Sequence, residues 1–249
     1  MKFIAAWRFL TVIPFPWQRE VTPEEIGGSL VYFPVIGLII GLTLAGLAWV
    51  FRLLLPQAVV GVIAVISALL VTGAIHLDGL SDTFDGFGGS TAEERLRIMR
   101  DSRSGSFGVA AIVCILLLEV ISLIVLPQTR FLQVLILMPV AGRAAMVYAV
   151  NAFPYARPSG LGRLFKEKTN VYSSIVAAVF ALAVAALLFQ WAGLVTMILA
   201  FGIVTGVAFF FKRRSGGLTG DVYGAINEIT EVAILVMVVV LVNKNWLGI

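Results

Sequence analysis

Long apolar runs separated by short polar segments dominate the chain, and nearly all of its charge falls in those segments. A bilayer-spanning helix needs roughly 20 predominantly apolar residues. Seven runs approach that length: about Leu30–Leu55, Ala58–Ile75, Phe107–Leu126, Phe131–Ala149, Val171–Phe189, Ala192–Phe211 and Glu228–Val242. The last is the shortest and opens on a carboxylate. Phe3 to Phe15 is apolar but too short to span, and Pro14, Pro16 and the polar stretch Gln18 to Glu25 follow it. It shows no small-residue cleavage site of the kind a secretory signal carries, so it reads as an interfacial helix. The pattern predicts an all-α, polytopic membrane helical bundle of about seven transmembrane helices plus an N-terminal interfacial helix. It is read as one integral membrane domain over 1–249. Within it, 1–29 is the interfacial N-terminal segment, and 77–106 and 212–227 are cytoplasmic loops rich in acidic residues and glycine.

Composition removes the alternatives. The 249 residues are 60% hydrophobic and 13% charged, with mean hydropathy +1.01; soluble domains carry about 25% charged residues. Such a chain has too much apolar surface to stay disordered, and its one cysteine, Cys114, excludes a disulfide framework.

The net charge of +4 matters less than its placement. With seven spans, Lys2, Arg8, Arg19, Arg95, Arg97, Arg100, Arg103, Arg157, Arg163, Lys166, Lys168, Lys212, Arg213 and Arg214 share one side. Only Arg52, Arg130 and Lys244 lie on the other, and Arg143 falls inside a span. Cytoplasmic loops carry the Lys/Arg excess. The amino terminus and the loops around 77–106, 151–170 and 212–227 are therefore expected in the cytoplasm, and the carboxyl terminus outside. Basic residues divided among loops between spans do not form a nucleic-acid module.

On that same side, Asp78, Asp82 and Asp85 recur at i, i+4 and i+7. On a helix continuing past Ile75 they fall within about 60° of one another, on one face. Three like charges on one stripe repel and call for a cation. Carboxylate oxygens suit hard divalent ions, and Mg²⁺ typically combines one or two carboxylates with substrate phosphates. Asp78, Asp82, Asp85 and Asp101 are the expected metal ligands. The blander alternative is a solvated loop paired to its own arginines. Arg100, Arg103, Ser104 and Gly105 precede the third span, where free backbone N–H groups and guanidinium groups suit a phosphate; an ordinary helix cap would use the same residues. A second cluster holds Gly217, Thr219, Gly220 and Asp221, with Glu228 seven residues on and Glu231 entering the apolar region. Charge at membrane depth costs roughly 2.5–3.5 kcal/mol on insertion scales and usually marks function; a structural ion pair with Arg143 is the alternative. His76, the only histidine, is a candidate general base or a hydrogen-bond partner of an aspartate. Glu119 has no evident role.

His76 to Gly86, Ile98 to Arg103 with Gly105, Gly160 to Gly162, and Gly217 to Glu231 together resemble the cobalamin synthase family, the adenosylcobinamide-GDP ribazoletransferases. The resemblance runs from Phe33, Pro34 and Gly37 through the last span, and the middle spans match mainly in hydropathy. It implies a Mg²⁺-dependent enzyme of the cytoplasmic (inner) membrane. Such an enzyme joins a corrinoid-GDP, adenosylcobinamide-GDP, to α-ribazole or α-ribazole 5′-phosphate and releases GMP. On that resemblance, Asp82, Asp85, His76, Asp221 and Glu228 are candidate catalytic residues. Arg100, Arg103, Ser104, Gly105, Gly217, Thr219 and Gly220 are candidate substrate contacts. The small-molecule substrates and the lipid bilayer are the implied partners, with homo-oligomerisation left open. Two rivals stand beside it. Asp82 to Gly86 begins like the motif of CDP-alcohol phosphotransferases, but Phe87, Gly88 and Gly89 break that pattern. A transporter would use Glu119, Arg143, Glu228 and Glu231 as a relay, yet the acidic clusters lie at span ends.

Overall fold

The computed structural model describes residues 1–16, 20–101 and 103–244. Arg19 and Ser102, which the sequence places among the basic and hydroxyl-bearing loop residues, lie outside the described set. In a bilayer, backbone N–H and C=O groups have no water to bond and must close their hydrogen bonds inside helices or barrels. The described residues accordingly form eleven α-helices and no strand. These are α1 (Lys2–Leu10), α2 (Pro23–Gly27), α3 (Phe33–Phe51), α4 (Gln57–Thr72), α5 (Ile75–Asp85), α6 (Ala92–Ile98), α7 (Ser106–Val125), α8 (Gln128–Ala152), α9 (Leu161–Lys168), α10 (Val171–Ser215) and α11 (Gly220–Asn243). Five helical stretches are long and apolar enough to cross a membrane: Pro23–Phe51, Ser106–Val125, Gln128–Ala152, Val171–Ser215 and Gly220–Asn243. A sixth exists if α4 and α5, bent by 90°, count as one broken span.

The elements differ from the seven expected runs in three places. The second run breaks where Gly73 (φ 64°) and Ala74 (φ 55°) both turn left-handed, which interrupts the helical ladder and sends α5 off at a right angle. Two expected spans merge into α10, broken at Gln190 (φ 54°, ψ −138°). The chain reverses there: a Cβ on Gly193 would collide with the Ala185 carbonyl, whereas eight residues of straight helix extend about 12 Å. The last run starts at Gly220 rather than Glu228, because Thr219 caps it by accepting the Val222 N–H at 3.2 Å. Both expected loops are thus partly helical: 77–106 contains most of α5 and all of α6, and 212–227 contains the end of α10 and the start of α11.

At the amino terminus, α1 is seated on protein, with Ala6 and Leu10 fully buried. The central element is α8, whose residues Leu137–Val147 are buried and against which α3, α10 and α11 pack. Small residues set the closest approaches, as expected where lipid supplies no hydrophobic drive between helices. A Cβ on Gly37 would lie 2.5 Å from the Pro139 carbonyl oxygen, and one on Gly41 2.7 Å from that of Ile136. The contact between α5 and α11 has the same character. A Cβ on Gly79 would lie 2.8 Å from the Asp221 carbonyl oxygen, and one on Gly224 3.1 Å from that of His76. Pairing 79 with 221 and 76 with 224 makes the two helices antiparallel.

This packing predicts unequal costs for one chemical change. Gly37→Ala should lower stability by about 1–3 kcal/mol through overpacking. Gly46→Ala, whose Cβ meets nothing within 4 Å, should be neutral or stabilise by up to about 1 kcal/mol. Thermal unfolding of the detergent-solubilised protein by circular dichroism checks this, and equal melting temperatures would contradict it.

Candidate active site

Three loops that the sequence assigns to one side meet in space. Arg95 Nη1 donates to the Arg214 carbonyl at 3.0 Å. The Ala156 N–H donates to the Leu218 carbonyl, and the Leu218 N–H to the Pro154 carbonyl, both at 2.8 Å. Phe87 stacks on Phe211 with ring centroids 5.8 Å apart. Gly217 lets the last two loops touch, since a Cβ there would stand 2.7 Å from the Pro154 carbonyl oxygen. Gly217, expected as a substrate contact, thus plays a structural part and pins the 154–156 segment to the turn before α11.

The α5 carboxylates share a helix but not an environment. Both oxygens of buried Asp85 are engaged: Oδ2 accepts the Gly105 N–H at 2.7 Å and Oδ1 accepts the Gly108 N–H at 2.8 Å. The first turn of α7 has unpaired donors and a positive dipole end, so a carboxylate satisfies both. Asp101 pairs with exposed Arg103 at 2.7 Å, and that hydrogen bond holds its carboxyl down to about 2. Asp78 is exposed and Asp82 half-buried. Among the described residues neither side chain accepts a hydrogen bond or forms an ion pair. Asp221 sits across from them on α11, accepting from Arg157 Nη2 at 2.6 Å and from Thr219 Oγ1 at 3.2 Å. Asp78, Asp221 and Asp85 surround Asp82 with negative charge, and Arg157 supplies positive charge. The expected quartet of metal ligands is therefore divided. Asp78 and Asp82 remain free, Asp85 anchors α7, and Asp101 faces Arg103. Among the described residues no group of three or more His, Cys, Asp or Glu is arranged to hold a metal.

Between α5, α11 and the 154–165 segment lies a cavity of about 410 Å³, within the usual range of small-molecule sites. His76, Asp78, Arg100, Arg157, Gly220 and Asp221 line one part, and aromatic and aliphatic side chains line the rest. His76 is 3% exposed and its Nε2 has no partner among the described residues. Arg103 and Gly105 line a different recess with Arg97 and Asp101, so the two arginines expected to act together face separate spaces. Ser104 is exposed. Thr219 is buried and holds the α11 terminus and Asp221.

Arg157, Tyr155 and Tyr223 were not among the expected site residues. The Pro154-to-Phe165 loop, with its mixture of rings, glycines and cations, carried the signal for the first two. Tyr223, two residues after Asp221, carried none. Burial pushes the Tyr155 phenol up, against the pull of Arg157, so it stays a neutral donor.

Glu228 lies deeper, in a second cluster. Glu119, Arg143, Glu228 and Glu231 line one small void. Arg143 pairs with Glu231, and Asn227 Nδ2 donates to Glu231 at 2.8 Å and to Glu228 at 3.2 Å. This cluster gives Arg143 the partner it requires and gives Glu119 a setting. It also places Glu228 away from the wall of the larger cavity.

A helical membrane bundle with a cavity of carboxylates, guanidinium groups and aromatic rings at one face has the form of a membrane-embedded enzyme. The family model for cobalamin-5-phosphate synthase matches residues 2–239, and the chain belongs to that family. A Syntrophobacter fumaroxidans protein named adenosylcobinamide-GDP ribazoletransferase is 40% identical over 238 residues, covering 94% of this chain and 96% of that protein. Proteins of the same name from Roseiflexus sp. and Acetivibrio thermocellus are 39% and 36% identical, each over 92% of this chain and over 86% and 93% of their own lengths. No solved structure matches the chain.

The anchoring role of Asp85 makes a direct prediction. Asp85→Asn replaces one accepting oxygen by a donor and removes the charge at the α7 terminus. Stability should fall by about 1–3 kcal/mol, with faster amide exchange at Gly105 and Gly108. Unchanged melting and exchange would contradict the anchor.

Proposed function

We propose that the protein joins adenosylcobinamide-GDP to α-ribazole, or to α-ribazole 5′-phosphate. The products are adenosylcobalamin, or its 5′-phosphate, and GMP. The observation that carries this reading is the unpartnered pair Asp78 and Asp82, one helical turn apart and facing the Asp221–Arg157 ion pair. The names of the relatives support the choice of substrates. The excess of basic residues on this face supports a cytoplasmic orientation and thus access for a water-soluble phosphorylated donor.

Asp78 and Asp82 fit Mg²⁺ by their chemistry: hard oxygens, no competing partner, and a third carboxylate, Asp221, already satisfied by Arg157. One or two protein carboxylates plus substrate phosphates suffice for this ion, so three protein ligands are not required. Bound there, Mg²⁺ would offset the charge that grows on the diphosphate as GMP leaves. The residues of the chain do the rest. Arg100, and Arg157 beside it on the cavity wall, brace phosphate oxygens. A ribazole hydroxyl oxygen bonds to the phosphorus that carries the cobinamide. The bond from that phosphorus to the GMP oxygen breaks, and its electron pair leaves with GMP. The hydroxyl proton passes to His76 or Asp221, which both line the cavity; Glu228 lies too deep for this role. Positioning and electrostatics thus carry the transfer.

Purified protein given adenosylcobinamide-GDP, α-ribazole and Mg²⁺ should release GMP and form adenosylcobalamin, and chelation by EDTA should stop it. Asp82→Asn should lower the rate at least about tenfold with the fold retained. Full Mg²⁺-dependent release by that variant would remove Asp82 from the site, and no release by the wild type would refute the reaction.

A further inference from the structure

The cavity lining combines charged groups with aromatic and aliphatic ones, and the apolar residues play no part in the chemistry above. Besides its charged groups it is walled by Phe9, Phe33 and Phe165, from α1, α3 and α9, whose ring centroids lie 5.0–5.7 Å apart. Met146 and Val150 of α8 continue that wall, and Tyr155 closes it. Besides the Arg157 Nε, two side-chain atoms of the cavity lining are buried and unpartnered among the described residues: His76 Nε2 and the Tyr223 hydroxyl. Tyr223 is 2% exposed. A buried hydroxyl without a partner costs about 1–3 kcal/mol, so a native orphan of this kind calls for a ligand or an ordered water.

We infer that this cavity is the seat of the nucleoside acceptor. Its aromatic base lies against the phenylalanine wall, and its ribose hydroxyls meet Tyr223 and His76 beside Asp78. The inference rests on the reaction proposed above and adds which substrate enters here and how. Size excludes the corrinoid macrocycle from a space of about 410 Å³, while one nucleoside fits it. Polarity then separates the two nucleosides of the reaction. Guanine has an N–H, an amino group and a carbonyl on one edge, and each would lose about 1–3 kcal/mol if buried unpaired against phenylalanine, methionine and valine. A methylated benzimidazole has an apolar edge and loses nothing there. A base held against the apolar residues leaves the sugar to the polar ones, toward the diphosphate at Asp78 and Arg100.

Two variants of the full-length protein in detergent test this. Tyr223→Phe keeps the ring and removes the hydroxyl. Gly220→Leu projects a side chain from the cavity wall at a position where a Cβ meets nothing within 4 Å. Melting temperature verifies the fold of each. Calorimetric titration with α-ribazole alone should show binding by the wild type, about tenfold weaker binding by Tyr223→Phe, and none by Gly220→Leu. In steady state, the KM for α-ribazole should rise about tenfold in Tyr223→Phe while the KM for adenosylcobinamide-GDP stays unchanged. A rise confined to the corrinoid substrate, competition by guanosine for the titrated site, or unaltered α-ribazole binding in both variants would overturn the inference. A wild type that binds α-ribazole but releases no GMP would refute the proposed reaction and leave the binding assignment standing.

Discussion

Gly79 and Gly224 allow the backbones of α5 and α11 to touch, and the arrangement of the basic face follows from that contact. In a bilayer two helices gain little by burying apolar surface against each other, so close approach through small residues must supply the packing. Here the approach is antiparallel, which sets Asp78 and Asp82 against Asp221 although about 140 residues separate them in the chain. A side chain at 79 would press a Cβ to 2.8 Å from the α11 backbone and force the helices apart, and one at 224 would meet the α5 backbone at 3.1 Å. Three carboxylates brought this near one another then require compensation, which Arg157 gives to one of them. Among the described residues the remaining two, Asp78 and Asp82, have no such cation partner.

The same scarcity of charge explains the rest of the molecule. Fourteen acidic residues serve the whole chain, and several of those near or within the bundle have identifiable partners. Asp85 binds the N–H groups of α7, Glu231 binds Arg143, and Asp221 binds Arg157. A membrane interior penalises unpaired ions far more than a soluble core does. Two groups that remain free at the face of the bundle are therefore informative in a way that two free aspartates on a soluble protein would not be.

The helical class, the apolar runs and the helical continuation past Ile75 that carries Asp78, Asp82 and Asp85 were legible in the sequence, because hydropathy and residue spacing are local properties. The division among its aspartates was not. A helical repeat puts Asp78, Asp82 and Asp85 on one face, but only the position of the α7 terminus shows that Asp85 serves as an anchor. The bend at Gly73 and Ala74 left no mark in the apolar pattern, since two residues of left-handed backbone do not change hydropathy. The reversal at Gln190 is hidden for the same reason. Arg157 and Tyr223 reach the cavity through contacts between distant loops, and no spacing rule encodes such a contact.

The central claim is that α5 and α11 contribute to a single site, with the carboxylates of both acting on one reaction. A double-mutant cycle on the rate of GMP release measures this directly, using Asp82→Asn, Asp221→Asn and the double variant. If the two groups act as one unit, the double variant should be little slower than the slower single one, with a coupling energy of about 1–3 kcal/mol. Strictly additive losses, with no coupling beyond about 0.5 kcal/mol, would mean that the two helices contribute independently, and would contradict the claim.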